Sequence, residues 1–243
     1  MAKPVLFIAD LHLDPSRADI VQTFGRFLER EAPHAEAIYI LGDLFEAWIG
    51  DDAISGDEPT IQLLNRAATR APVYIMHGNR DFLLGERFCQ LTGTHLLDEP
   101  SIVDIHGHRA LILHGDSLCT EDHEYQDFRA MVRDPRWQQE FLALSIEQRL
   151  AKAREARDRS KSRNSELTEE IMDVSPQAVD EIMAKYDVQW LIHGHTHRPN
   201  IHRFDATAGP GARFVVGDWY EQGSVLRCTE QKWELETLAL ETG

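Results

Sequence analysis

The chain has 243 residues, 42% hydrophobic and 27% charged, enough to bury a sizeable core in one large or two small domains. Its net charge of -16 argues against nucleic acid as a partner, and no apolar run approaches the roughly 20 residues that span a bilayer. Three widely spaced cysteines (Cys89, Cys119, Cys228) argue against a thiolate zinc site, and Met1-Ala2-Lys3-Pro4 enters a strand-like run without a secretory leader, so a reduced cytoplasmic protein is expected.

In chain order, Val5-Leu6-Phe7-Ile8 reads as a strand buried on both faces, with Asp10-Leu11-His12 at its end. Ile20, Phe24, Phe27 and Leu28 then follow helical spacing. Ile38 to Leu41 is a second strand closed by Gly42-Asp43, the acidic segment from Asp51 to Pro59 reads as a loop, and Ile61 to Ala71 as a helix. Val73 to Met76 is a third strand, ending in His77-Gly78-Asn79-Arg80-Asp81. Ile102–Ile105 and Ala110–Leu113 predict a hairpin around His106-Gly107-His108, whose second strand delivers His114-Gly115-Asp116. Asp134-Pro135 caps a helical region reaching about Arg163, and Ser175-Pro176 opens another ending near Tyr186. Phe214–Trp219, Ser224–Thr229 and Trp233–Leu238 close the chain as antiparallel-looking strands.

The stretch Leu191-Ile192-His193-Gly194-His195-Thr196-His197 reads as a strand entering a glycine turn. If the backbone stays extended, His195 and His197 point the same way, and Gly194 supplies the sharp turn. The pattern predicts an α/β sandwich of mixed sheets with helices between the strands and a helical insertion at about 120–170. Five strand ends carry polar residues able to ligate, and ligands of open α/β sheets bind at the carboxyl ends of strands.

The candidate metal ligands are Asp10, His12, Asp43, Asn79, His114, His195 and His197. Taken singly, an Asp after a strand is most often a turn former. Together, carboxylate, imidazole and amide oxygen without sulfur suit a hard-to-borderline divalent ion, Mn²⁺ rather than structural Zn²⁺. Seven ligands are too many for one ion, whereas a carboxylate bridging two ions about 3.5–4 Å apart uses them all.

Asp10-Leu11-His12, Gly42-Asp43, Gly78-Asn79-Arg80-Asp81, His114-Gly115-Asp116 and Gly194-His195-Thr196-His197 resemble the five motifs of the calcineurin-like metallophosphoesterases. The resemblance spans essentially the whole chain, which implies one domain over residues 1–243, an α/β fold with a β-sandwich flanked by helices and a helical lid insertion at about 120–170. The longer runs Tyr39–Asp52 and His77–Gly85 are similar to the branch of that superfamily that hydrolyses UDP-2,3-diacylglucosamine in lipid A synthesis. The resemblance implies two Mn²⁺ per subunit, one held by Asp10, His12, Asp43 and His197, the other by Asp43, Asn79, His114 and His195. It implies attack of metal-activated water on the α-phosphorus, releasing UMP and 2,3-diacylglucosamine 1-phosphate (lipid X). Asn79, Arg80 and His195 would be the catalytic residues. The implied substrate contacts are Asn79, Arg80, Asp122, Ser160, Asn164 and His195, extending to Tyr125 and Arg157.

Many metallophosphoesterases have histidine, a proton donor to the leaving alkoxide, at the position of Arg80. Arginine stays protonated and cannot act as the acid, but it can hold phosphate oxygens bidentately. A pyrophosphate leaves as phosphate and needs no such acid. The chain departs from the branch at Leu167, where a lysine is usual, so one substrate contact is in question; Lys161 and Arg163 are the nearby alternatives.

Between Arg149 and Arg163 stand seven basic and two acidic residues, exceptional in so acidic a chain. Leu142, Ile146, Leu150 and Ala153 fall on one face at helical spacing, with Phe141 and Leu144 close by. This is either a helix packed on the core or a lid whose apolar face takes acyl chains while its arginines meet phosphate or anionic lipid. The second reading predicts a peripheral protein on an anionic membrane surface, the cytoplasmic face of the inner membrane, with no obligate protein partner. The alternatives are a phosphodiesterase of the same fold acting on another phosphoester, and a non-catalytic scaffold.

Overall fold

The first strand, β1 (Val5–Ile8), is buried along its whole length. Period-two alternation sends Leu6 and Ile8 into one core and Val5 and Phe7 into another, so β1 lies between two packed layers. The computed structural model describes residues 2–54, 57–164, 171–206 and 209–240. On one side of β1 run β2 (Ala37–Ile40), β3 (Val73–Met76) and β4 (His95–Leu97), successively parallel. On the other side β10 (Gln222–Cys228) and β11 (Trp233–Ala239) pair antiparallel, completing a six-stranded sheet. A five-stranded sheet has β6 (His108–Ile112), β7 (Trp190–His193) and β9 (Gly209–Val215) parallel at its centre, with β5 (Ser101–Ile105) and β8 (Asn200–Ala206) as antiparallel edges.

Helices α1 (Ala18–Glu31), α2 (Pro59–Ala68) and α3 (Glu86–Thr92) connect the parallel strands of the first sheet. Ile20, Phe24 and Phe27 of α1, with Ile61 and Leu64 of α2, meet Leu6, Ile8, Ile38 and Ile40 in one core. The second core joins the sheets through Phe7, Ile112, Ile192 and Phe214, and reaches Val179 and Met183 of α7 (Pro176–Tyr186). The mixed α/β sandwich expected from the sequence is therefore present.

The Phe214–Trp219 reading changes. β9 begins earlier than the Phe214–Trp219 run and ends at Val215, and it lies parallel to β7. Residues 216–219 leave the sheet, and Trp219 is fully buried edge-on to Phe24 and Phe27, with its indole N–H on Ser224 O at 3.2 Å. β4 and α3 are short, and neither they nor the seven-residue β8 carry a clear periodic signal.

Between β6 and β7 the chain forms α4 (His123–Arg133), α5 (Pro135–Leu142) and α6 (Ile146–Asn164). Asp134 caps α5 as expected, its carboxylate accepting from Arg136 N. Residues 143–145 separate α5 from α6, so Leu142 and Ile146 do not share one continuous helix. Phe141 instead packs with Ile49 and Leu83, seating this arm on the segments that follow β2 and β3. Arg149, only 2% exposed, fastens the same junction: it binds the Asp52 carboxylate through both Nη atoms and donates to Ile49 O at 2.7 Å and Leu144 O at 3.1 Å. Much of the basic run is thus engaged internally, since Arg163 pairs with Asp122 and Glu124, and Arg159 with Glu155. Lys152 and Arg154 face solvent, and Leu142, Ile146 and Leu150 remain about two-fifths exposed, at 41%, 43% and 40%. No helix among the described residues is long and apolar enough to cross a membrane.

Candidate metal centre

Asp10 and His12 follow β1, Asp43 follows β2, Asn79 and Arg80 follow β3, His114 follows β6, and His195 and His197 follow β7. Backbone bonds continue the ladders past the strand ends: Asp10 N to Gly42 O at 3.1 Å, His12 N to Asp43 O at 2.9 Å, and Gly194 N to His114 O at 2.8 Å. His195 N donates to Asp10 Oδ2 at 2.8 Å, joining the rims of the two sheets.

Seven non-glycine residues among those described have left-handed backbone, and five of them are Asp10 (φ 54°), His12 (49°), Asp43 (51°), His195 (68°) and His197 (56°). Each such conformation costs of order 1–3 kcal/mol and persists only where surrounding contacts enforce it. The premise of an extended chain at His195 and His197 therefore fails. β7 ends at His193, and the two imidazoles serve different groups of ligands. Nor is Gly194 there for a left-handed turn: a Cβ would lie 2.4 Å from Asp10 Oδ2 and 2.5 Å from Ala9 Cβ, so glycine permits the close approach of the two rims.

In the first group, His12 Nε2 and His197 Nε2 face each other at 3.4 Å. Asp10 Oδ1 lies 3.5 Å from His197 Nε2, and Asp43 Oδ2 lies 3.8 Å from His12 Nε2. In the second group, Asn79 Oδ1 lies 3.1 Å from His114 Nε2 and 3.0 Å from His195 Nδ1. Asp43 Oδ1 is 3.8 Å from His114 Nε2. The two oxygens of Asp43 thus address different groups. Its position is fixed from below by buried Asp81, whose carboxylate accepts from Gly78 N and Leu44 N, each at 2.8 Å.

The donor set fits a pair of divalent cations. Asp10 Oδ1 is buried without a hydrogen-bond partner, although ligand atoms of Asp10, His12 and His197 lie within 4.8 Å of one another, as do those of Asp10, Asp43 and His114. Such converging lone pairs, all oxygen and nitrogen, repel one another unless a cation or protons lie between them. Burial opposes the charge of Asp10, but His197, whose Nε2 lies 3.5 Å from Oδ1, outweighs it and holds the carboxyl well below the usual range. Burial likewise opposes protonation of His114 and His197, yet Asp43 and Asp10 lift His114 to about 9, and Asp10 and Asp218 lift His197 to about 10. Burial, reinforced by the charge of His114, pushes His195 down to about 4.

Arg80 N donates to Asp43 Oδ1 at 2.8 Å, while Arg80 Nε is buried and unbonded among the described residues. Tyr125 lies with its ring 5.9 Å from that of His195, and its hydroxyl donates to buried Asp116 at 2.5 Å. Asp122 caps α4 and pairs with Arg163, and Arg157 Nε lies 2.8 Å from Glu46 Oε1. Ser160 is half-buried on α6. Asn164 ends α6, but its side chain, like all of Leu167 and the side chain of Lys161, lies outside the described residues.

Sequence reasoning missed Glu46, Asp218 and Tyr220, which stand immediately behind the first group. Glu46 Oε2 is 3.3 Å from His12 Nδ1, Asp218 Oδ2 is 3.1 Å from His197 Nδ1, and Tyr220 stacks on His12 with centroids 4.9 Å apart. Asp218 was within reach, because it follows the apolar run Phe214–Val216 as Asp10 and Asp43 follow theirs.

Residues 3–199 match the calcineurin-like phosphoesterase family model, and the chain belongs to that family. Family and clustered ligands together indicate a dimetal centre. The chain is 49% identical over 245 residues to the UDP-2,3-diacylglucosamine hydrolase of Stenotrophomonas maltophilia (strain K279a), covering 97% of this chain and 99% of the relative. It is 48% identical over 244 residues to the protein of that name in Xanthomonas axonopodis pv. citri (strain 306), with the same coverage of 97% and 99%. Among solved structures, an archaeal phosphodiesterase aligns over 98% of this chain and 99% of its own, at TM-score 0.49 and 14% identity.

Because His114 and His197 are raised to about 9 and about 10, both carry protons near pH 8, and a cation entering the site displaces them. Calorimetric titration of Mn²⁺ in two buffers of different ionisation enthalpy is expected to give different heats at pH 8. Equal heats at pH 8 would contradict this electrostatic picture.

Proposed function

We propose that this chain hydrolyses the pyrophosphate bond of UDP-2,3-diacylglucosamine, giving UMP and 2,3-diacylglucosamine 1-phosphate (lipid X) in lipid A synthesis. The observation that carries this reading is the near-complete alignment with hydrolases of that name at 48–49% identity. The Asp43 carboxylate, facing a different set of histidines with each oxygen, supports it chemically.

A pair of Mn²⁺ ions would be held here, one by Asp10, His12, Asp43 and His197 and the other by Asp43, Asn79, His114 and His195. When bound, such a pair lowers the pKa of water and neutralises charge on a phosphoryl oxygen. The rest falls to the protein. Arg80, tethered by its own backbone N–H to the Asp43 carboxylate, has a buried Nε that would donate to non-bridging phosphate oxygens. Its permanent charge suits a phosphate leaving group and cannot supply a proton. Asn79 and His195 orient the same phosphoryl group from the other side.

The arm α4–α6 acts as a lid within the single domain. Tyr125, Arg157, Asp122, Ser160 and Asn164 are its polar substrate contacts, with Arg157 exchanging Glu46 for substrate phosphate. Exposed Leu142, Ile146 and Leu150 accept acyl chains. Exposed Lys152 and Arg154 draw the protein to the anionic inner-membrane face.

With authentic lipid substrate, Mn²⁺-dependent UMP release is expected. His195→Ala abolishes it, and Arg80→Ala lowers kcat by about 10²–10³-fold with the metal content unchanged. Equal turnover of a non-acylated UDP-sugar would contradict the acyl-binding role of the arm. Hydrolysis of bis-p-nitrophenyl phosphate without activity on the lipid would favour a phosphodiesterase of another substrate. Sedimentation with anionic vesicles is expected to weaken as salt rises and on Lys152→Ala/Arg154→Ala substitution; binding insensitive to both would refute the electrostatic attachment.

A further inference from the structure

We propose that Glu46 and Asp218 are positioning residues that make the Asp10–His12–His197 half of the centre the tighter cation site, so that it fills before the Asn79–His114–His195 half. The inference rests on the ligand assignment proposed above.

The two halves differ in what stands behind their imidazoles. In the first half, both histidines present Nε2 to the common centre and turn Nδ1 to a carboxylate: His12 to Glu46 Oε2 at 3.3 Å, His197 to Asp218 Oδ2 at 3.1 Å. A carboxylate behind a ligating imidazole fixes the tautomer and ring orientation and raises the basicity of the far nitrogen. In the second half, the atom behind His114 is neutral, since its Nδ1 meets Leu41 O at 2.8 Å. His195 directs Nδ1 itself into the centre, against Asn79 Oδ1. Among the described residues, the second half therefore rests on an amide oxygen and on imidazoles with no carboxylate behind them at hydrogen-bonding distance.

Both carboxylates are themselves held in place. Glu46 is 5% exposed, and Oε2 also accepts from Tyr220 Oη at 3.3 Å while Oε1 lies 2.8 Å from Arg157 Nε. Asp218 precedes Trp219, whose burial between Phe24 and Phe27 and whose backbone N–H on Asp10 O at 3.1 Å lock the 216–220 segment against β1. Glu46 also touches both His12 and the lid helix, so the tight half and the arm share one side chain.

The test uses the metal-free full-length chain titrated with Mn²⁺ alone, with free Mn²⁺ read by electron paramagnetic resonance. The wild type is expected to bind in two resolved steps. Glu46→Gln and Asp218→Asn should each weaken the tighter step about tenfold to hundredfold while leaving the weaker within about twofold. Asn79→Ala should remove the weaker step and keep the tighter; His12→Ala should do the reverse. Selective loss of one step is a readout that general damage to the fold does not produce, and the unsubstituted loops of the Asn79 and His12 variants assign the order independently. Two ions of indistinguishable affinity, or carboxamide variants that shift neither step or act on the weaker one, would overturn the inference and leave the ligand assignment standing. No Mn²⁺ binding at all would overturn both.

Discussion

Asp43 is the residue on which the site depends. Its side chain is almost fully buried, its two oxygens look toward histidines delivered by different sheets, and its own amide is drawn toward Asp81. Gly78 passes so close that a Cβ there would lie 2.1 Å from Asp43 Oδ1. Replacing either neighbour by a larger group would move the one carboxylate that both halves of the centre share. The two-sheet architecture follows the same demand, because only strand ends from both sheets can bring Asp10 and Asp43 against His114, His195 and His197.

Holding these groups together costs free energy in two ways. Five candidate ligand residues occupy left-handed backbone, each disfavoured by of order 1–3 kcal/mol. Two buried carboxylates also converge with four imidazoles, and in the absence of a cation protons on His114 and His197 relieve that crowding. Cores on both faces of the first sheet, the Asp81 strap and the buried Trp219 supply the rigidity that keeps such a site from relaxing. Strain of this kind is the usual mark of a functional loop, and its concentration on ligand positions is independent of any family match.

Much of this was legible from the chain. All-apolar runs of four residues lead into Asp, Asn or His, and the strand-end rule gathers all seven candidate ligands from the sequence. What it missed has physical causes. The left-handed turns at His195 and His197 leave no periodic signal, because they arise from tertiary packing against Asp10. The basic stretch suggested a lipid-facing surface, yet Arg149 is an internal clamp on Asp52, and Arg163 is committed to Asp122. Charge counts report composition and are silent on pairing. Glu46 and Asp218 escaped because residues behind ligands obey no spacing rule of their own.

Anomalous diffraction at the manganese edge, from crystals of this chain grown with Mn²⁺, addresses the shared carboxylate directly. The account predicts two peaks flanking Asp43, one within the reach of Oδ2, His12 and His197 and the other within the reach of Oδ1, Asn79, His114 and His195. A single peak, or two peaks with Asp43 bound to only one of them, would contradict it.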